Sequence, residues 1–213
     1  RMELLSWAGE DRERFVLEDD YDSEFRYKGK PIPPLQSIDG RDCVIYMGTF
    51  SRSIAPSIRV SYLVLPERLV KPYREKCGFF ANTVSRVDQA ILARFLREGY
   101  FERHLNKVRA LYRNKHEAVL QALKPLKQWF LLKGEHAGLH LMLEEKSGLP
   151  EVEEKTLISA ARQQGVKVYE ASGGERREGP ASLLLGYANL SPEEIQAGAA
   201  ALRKAWEPLF HEP

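Results

Sequence analysis

Five carboxylates crowd nine residues near the start of this chain, in Leu17-Glu18-Asp19-Asp20-Tyr21-Asp22-Ser23-Glu24-Phe25. So many like charges repel one another unless solvent or a ligand absorbs them. On spacing alone, a solvated acidic turn is the better account. Position offers another. The cluster follows the apolar run Phe15-Val16-Leu17, and carboxylates at the carboxyl end of a buried strand stand where open α/β sheets hold ligands. A second loop, Gly48 to Arg59, also follows an apolar run and sets Thr49, Ser51 and Ser53 beside Arg52 and Arg59. Hydroxyls donate to phosphate oxygens and guanidinium forks grip them in pairs, so this loop is either an anion site or a surface turn with incidental arginines. Together the two loops would hold opposite ends of a small anionic molecule.

The elements that must position these loops show in the apolar periodicity. Met2 to Ala8 reads as the end of a helix feeding a strand, and residues 23–41, with three prolines, as loop. Apolar runs at 15–17, 43–47 and 60–65, separated by polar loops and followed by helices, predict an α/β sheet covered on both faces. Val84, Val87, Ile91 and Phe95 share one face of a helix that stops at Gly99. Phe101, Leu105, Val108, Tyr112, Val119 and Leu123 mark a long amphipathic helix, its pattern interrupted at Lys115 and ended before Pro125. Strands are expected at 129–132 and 139–143, a helix over about 151–164, and short strands at 166–169 and 183–187. The last helix announces its start: Ser191 as cap, Pro192 in the first turn, Glu194 to complete a capping box, and a stripe of Ile195, Ala199, Leu202 and Trp206. The expected division is residues 1–99, then a smaller α+β domain over 100–213.

Composition narrows the classes. With 32 Lys plus Arg against 30 Asp plus Glu, the chain lacks the basic excess of a protein that binds nucleic acid by charge. No apolar run approaches a membrane span, and the first residues lack a signal-peptide pattern. Two cysteines, Cys43 and Cys77, are too few for a disulfide framework or a zinc site, and the default is buried thiols in a reducing cytoplasm. The chain opens on Arg1 in mid-pattern, so a piece of a longer protein is expected.

The strings LEDDYDSEF, VIYMGTFSRSIAPSIRVSYLVLP, VDQAILARFLREGYFERHLNKVRALYRNKHEAVLQAL, GLH and LLLGYANLSPEEIQAG resemble, in order and spacing, the aminotransferase-like half of the MocR/GabR subfamily of GntR-type transcriptional regulators. The resemblance implies the second half of a fold-type I aminotransferase large domain over residues 1–99 and its small C-terminal domain over 100–213. It also implies a homodimer, pyridoxal 5′-phosphate as cofactor, and an amino-acid-like effector. DNA would be bound through an N-terminal winged helix-turn-helix lying before Arg1. The ring-stacking aromatic and the glycine-rich phosphate cup would also lie there, so residues 1–213 alone are expected to leave the pocket incomplete.

By the same resemblance, Asp19 matches the aspartate that pairs with the pyridine nitrogen, with Asp20 as the alternative if the register slips. Tyr21 matches the tyrosine on the ring's phenolic oxygen, and Thr49 and Arg59 match the hydroxyl and arginine that hold the phosphate. The departure is Arg52, at the position of the family's Schiff-base lysine. Bond formation to an aldehyde needs a neutral amine, and a delocalised guanidinium holds its proton, so Arg52 can serve neither as that amine nor as a proton shuttle. Classical transaminase activity is therefore not expected. The alternative reading, a piece of a pyridoxal-phosphate-dependent aminotransferase, has Arg52 against it. Non-covalent binding stays open, with Arg52 pairing with the phosphate or with a substrate carboxylate. Family members often carry an effector-binding arginine after a strand like Val168-Tyr169; here Arg176 and Arg177 fall a few residues late and neither is assigned.

Other features have plainer readings. His136 and His140 stand four apart in a turn-and-strand region without a carboxylate at ligand spacing, so no metal is expected. Arg103, Lys107, Arg109, Arg113 and Lys115 alternate with Glu102 and Glu117 on the polar side of the long helix, which reads as a solvated face. Trp129, Phe130 and Trp206 read as core.

Overall fold

The computed structural model describes residues 1–147, 152–171 and 180–210. Its elements run α1 (Met2–Gly9), β1 (Val16–Asp20), β2 (Val44–Thr49), β3 (Ser61–Val64), α2 (Glu67–Cys77), α3 (Arg86–Arg97), α4 (Tyr100–Ala122), β4 (Phe130–Lys133), β5 (His140–Glu145), α5 (Glu154–Gln163), β6 (Tyr169–Glu170), β7 (Ser182–Gly186) and α6 (Pro192–Phe210). The chain is mixed α/β, and it divides into two compact units. One comprises Arg1–Glu24 and Lys30–Val108, the other Phe25–Gly29 and Arg109–Pro213.

In the first unit the sheet order is β1-β2-β3, with β1 parallel and β3 antiparallel to β2. Parallel pairing brings the carboxyl ends of β1 and β2 side by side, with Asp19 opposite Met47 and Asp20 opposite Gly48. The core here is small: Leu5 and Ala8 of α1 pack with Leu35, Cys43 and Val44. The expectation of a sheet covered on both faces is corrected. All four β3 residues are exposed and Leu17 of β1 is 61% exposed; among the described residues the buried apolar cluster of this unit gathers around Val44. The predicted face of α3 is likewise open, with Val87 and Ile91 exposed and Leu92 the buried position.

Two side-chain carboxylates, one local and one distant in sequence, hold these elements in place. Asp39 accepts the N–H of Arg41, Cys43 and Val44 at 2.9, 2.7 and 2.8 Å, which fixes the entry to β2. Burial alone would raise the Asp39 pKa, but these hydrogen bonds and one from the Cys43 thiol outweigh it and hold the carboxyl below its usual range. Asp42 caps α2 from outside by accepting the N–H of Glu67 at 2.8 Å and of Arg68 at 3.0 Å. Helix α2 buries none of its residues and carries Pro72 inside, so no apolar stripe in the sequence marked its bounds.

The second unit has the larger core. Its sheet, in the order β4-β5-β7-β6, is antiparallel throughout. Leu141, Leu143, Leu183, Leu157 and Trp206 are fully buried against it. Trp206 also donates its indole N–H to the Leu157 carbonyl at 2.9 Å. The expected capping box forms: Ser191 N–H donates to Glu194 at 2.7 Å, and Glu194 N–H to the Ser191 hydroxyl at 3.2 Å. The long helix α4 is continuous through Lys115, whose ammonium reaches the Ala188 carbonyl at 2.7 Å. The strand expected at 166–169 is confined to Tyr169–Glu170.

The five residues Phe25–Gly29 belong to this second unit. Phe25 is fully buried, edge-on to Tyr112 at 5.1 Å, and its carbonyl accepts Gly138 N–H at 2.9 Å. Tyr27 stacks on His116 at 4.5 Å and donates its hydroxyl to the Gly138 carbonyl at 3.1 Å.

Candidate functional site

The two chemistry-bearing loops meet at the carboxyl ends of β1 and β2. There a cleft of about 290 Å³ is lined by Asp19, Tyr21, Met47, Gly48, Thr49, Ser51, Arg52, Arg59 and Ser61. That volume lies at the lower limit of ordinary ligand sites, which run from roughly 300 to 1,000 Å³. All five residues singled out in the sequence, Asp19, Tyr21, Thr49, Arg52 and Arg59, are among the lining.

Strand alternation separates the two adjacent aspartates, since successive side chains point to opposite faces. Asp19 is exposed and lines the cleft. Asp20 is half-buried and committed elsewhere: it accepts the Tyr46 hydroxyl at 2.8 Å, the Ser23 hydroxyl at 2.8 Å and the Ser23 N–H at 3.2 Å. Burial first, and the bond to Asp20 second, push the Tyr46 pKa well above its usual value, so the phenol remains a donor. Glu18 is committed too, accepting the N–H of Leu35 at 2.7 Å and of Gln36 at 3.1 Å. Of the three consecutive acids, Asp19 is the one that faces the cleft.

Tyr21 stands beside it. Burial, then the charges of Asp22 and Asp19, raise its pKa against the opposing pull of Arg52. The hydroxyl thus stays protonated, a donor among charged neighbours.

The second loop is closed on itself. Phe50 N–H donates to the Val60 carbonyl at 3.0 Å, the Thr49 hydroxyl to the same carbonyl at 3.3 Å, and Ser51 N–H to the Thr49 oxygen at 3.1 Å. Arg59 occupies the left-handed region, φ 50°, which an arginine adopts only when its surroundings impose it. Gly48 is required by packing: a Cβ there would run into the Tyr62 ring on the facing strand. Ser53, placed by the sequence beside the arginines, is instead buried outside the lining, and its hydroxyl finds no hydrogen-bond partner among the described residues.

Two lining residues lie outside the two loops read as a site from the sequence: Met47 and Ser61. Ser61 comes opposite Thr49 through antiparallel pairing of β3 with β2, and nothing in the apolar run that follows it signals that direction. Among the described residues no lysine lines the cleft. His136 and His140 lie on and near the β4–β5 connection, and among the described residues no group of three or more His, Cys, Asp or Glu gathers as metal ligands. Arg176 and Arg177 lie outside the described residues. Among the described residues no helix is long and apolar enough to cross a membrane.

No protein-family model matches the chain. The structure is similar to that of LysN, an alpha-aminoadipate aminotransferase from Thermus thermophilus solved with N-(5′-phosphopyridoxyl)-L-leucine. That likeness has a TM-score of 0.78 and 30% identity, covering 98% of this chain and 54% of the other. Fold and cleft together therefore define an aminotransferase-like domain of fold type I. In sequence the chain is 42% identical to an HTH-type transcriptional regulator, YdeL, of Bacillus subtilis, over 97% of this chain and 44% of the relative. It is 34% identical to the probable rhizopine catabolism regulatory protein MocR of Rhizobium meliloti, over 97% and 41%. The chain belongs to the MocR/GabR subfamily of GntR-type regulators, in their aminotransferase-like part. It spans less than half the length of these curated regulators.

Proposed function

We propose that this chain is the ligand-sensing and dimerisation part of a transcriptional regulator, that its cleft holds a phosphopyridoxyl compound without a covalent bond, and that it does not catalyse transamination. The observation that carries the reading is the lining itself: an acid, a protonated phenol, hydroxyls and two guanidiniums converge, with no lysine among the described lining residues. The donor set suits the group. Asp19 would keep the ring nitrogen protonated, Tyr21 would donate to the phenolic oxygen, and Thr49, Ser51 and Arg59 would take the phosphate. When bound, pyridoxal phosphate supplies an electron-withdrawing ring. What this cleft lacks is the amine that would capture its aldehyde, and Arg52 cannot replace it.

The regulator reading is favoured over an aminotransferase piece because the curated relatives at 42% and 34% identity are regulators. DNA as partner, through a module outside residues 1–213, and the cytoplasm as location follow from that reading. So does an amino-acid-like effector. Exposed Val87 and Ile91 on α3, with the Phe79–Phe80 ring pair at 4.3 Å, are apolar surface fit for a homodimer contact. In this reading the first unit is the large-domain part and the second the small domain.

The test is a visible spectrum of the complete encoded polypeptide with pyridoxal phosphate, before and after borohydride. The expected result is bound cofactor that dialysis removes even after reduction. Cofactor fixed irreversibly by borohydride would overturn it. Arg52→Lys should restore fixation in the complete polypeptide but not in residues 1–213 alone.

A further inference from the structure

Replacing an amine by a guanidinium removes one means of recognition and adds another. A lysine picks the aldehyde out of all phosphorylated pyridoxyl compounds because only the aldehyde can bond to it. A guanidinium reads charge and lone pairs: it donates to an aldehyde, an alcohol or a phenolate oxygen and repels a cation. Among the described lining residues, Arg52 and Arg59 are the cations and Asp19 is the one anion, with the hydroxyls of Tyr21, Thr49, Ser51 and Ser61 between them. Arg52 acts electrostatically on the Tyr21 hydroxyl, the group assigned above to the phenolic oxygen. On a pyridoxyl ring the carbon bearing that oxygen is the immediate neighbour of the carbon bearing the C4′ substituent. Arg52 and Tyr21 line the same cleft, so a ring whose phenolic oxygen meets Tyr21 carries its C4′ substituent into the part of the cleft on which the Arg52 charge acts.

We propose that Arg52 is a specificity-determining residue that makes the cleft read an oxygen at C4′ by hydrogen bonding, so that the phosphorylated aldehyde and alcohol bind alike and the phosphorylated amine is discriminated against. The proposal rests on the preceding reading of the cleft as a phosphopyridoxyl site. It deepens that reading by naming which members of the class are admitted. The amine is excluded by charge: its ammonium would face a guanidinium in a cleft already carrying a second one.

Equilibrium dialysis of the complete polypeptide near neutral pH tests it, with pyridoxal, pyridoxine and pyridoxamine 5′-phosphates as probes and inorganic phosphate as the charge control. Aldehyde and alcohol should have dissociation constants within about threefold of each other, a difference too small for a bond present in one and absent in the other. The amine should bind at least about tenfold more weakly than the alcohol. Arg52→Gln should shrink that gap to within about threefold by removing the like charge. Arg52→Lys should tighten the aldehyde alone and make its binding resistant to dialysis after borohydride. An aldehyde preference above about tenfold over the alcohol in the unaltered protein overturns the proposal while leaving the cleft assignment standing. Equal binding of amine and alcohol does the same. If none of the three phosphopyridoxyl compounds binds more tightly than inorganic phosphate, the cleft assignment falls and the proposal with it.

Discussion

The adjacent aspartates allow a crossed test in which stability and ligand binding should separate. Asp20→Ala removes the acceptor of three hydrogen bonds, from the Tyr46 hydroxyl, the Ser23 hydroxyl and the Ser23 N–H. A hydrogen bond to a charged partner contributes about 1.5–3 kcal/mol where water is excluded. The Tyr46 bond is part-buried and sits at the low end of that range, while the Ser23 bonds are exposed and compete with water at about 0.5 kcal/mol each. The expected loss is about 2–3 kcal/mol. Asp19 accepts no described hydrogen bond within the chain and is exposed, so Asp19→Asn should leave stability within about 0.5 kcal/mol. Its effect should appear as weakened binding of a phosphopyridoxyl probe by about tenfold or more, the effect of losing a charge-assisted bond to the ring nitrogen. Urea unfolding followed by far-UV circular dichroism gives the first quantity and dialysis the second. If Asp19→Asn destabilises by more than about 1 kcal/mol while Asp20→Ala spares stability and abolishes binding, the assignment of the two side chains is reversed.

Three further outcomes follow from the packing. Trp206→Phe should lower stability by about 2–4 kcal/mol, since it opens a void in the fully buried core and removes the donor to the Leu157 carbonyl; a urea midpoint unchanged from the parent would contradict it. Asp39→Asn, which leaves three N–H groups at the entry to β2 with one good acceptor oxygen, should cost about 1–2 kcal/mol, and an effect below about 0.5 kcal/mol would show that water already satisfies those groups. Buried His116 is held below its usual pKa by burial first and then by the charge of Lys28, against the opposing bond to the Glu135 carbonyl. Its contribution is therefore complete above the unfolded value of about 6.5 and is lost as pH falls from there toward the folded value; melting temperatures of His116→Gln should be flatter over that window, and parallel curves would refute the assignment.

What the sequence disclosed, and what it hid, divides along a physical line. Capping chemistry and apolar period are local, so the α6 capping box at Ser191 and Glu194, the long helix α4 and the run of strands were all readable. The site loops were readable because their residue types are dense and follow apolar runs. The bounds of helix α2 were not, because its start is secured by Asp42, distant in sequence, and it buries no apolar stripe to read. Spacing alone could not choose between Asp19 and Asp20, and only the resemblance favoured Asp19. The choice depends on which of two adjacent side chains Tyr46 reaches across to from the neighbouring strand. Ser61 was hidden by the same cause, the direction of β3.

The segment Phe25–Gly29 has a meaning in time. A chain made from its amino end presents these five residues directly after the acidic loop and well before Gly138, whose carbonyl accepts the Tyr27 hydroxyl from 111 residues downstream. Until Gly138 has left the ribosome, Phe25 has no apolar seat and the loop carrying Asp19 and Tyr21 has a free downstream end. The segment therefore cannot take its place in the second unit before Gly138 has emerged, and nascent chains halted short of Gly138 should leave the peptide around Phe25 open to protease, while those halted after Phe210 should not.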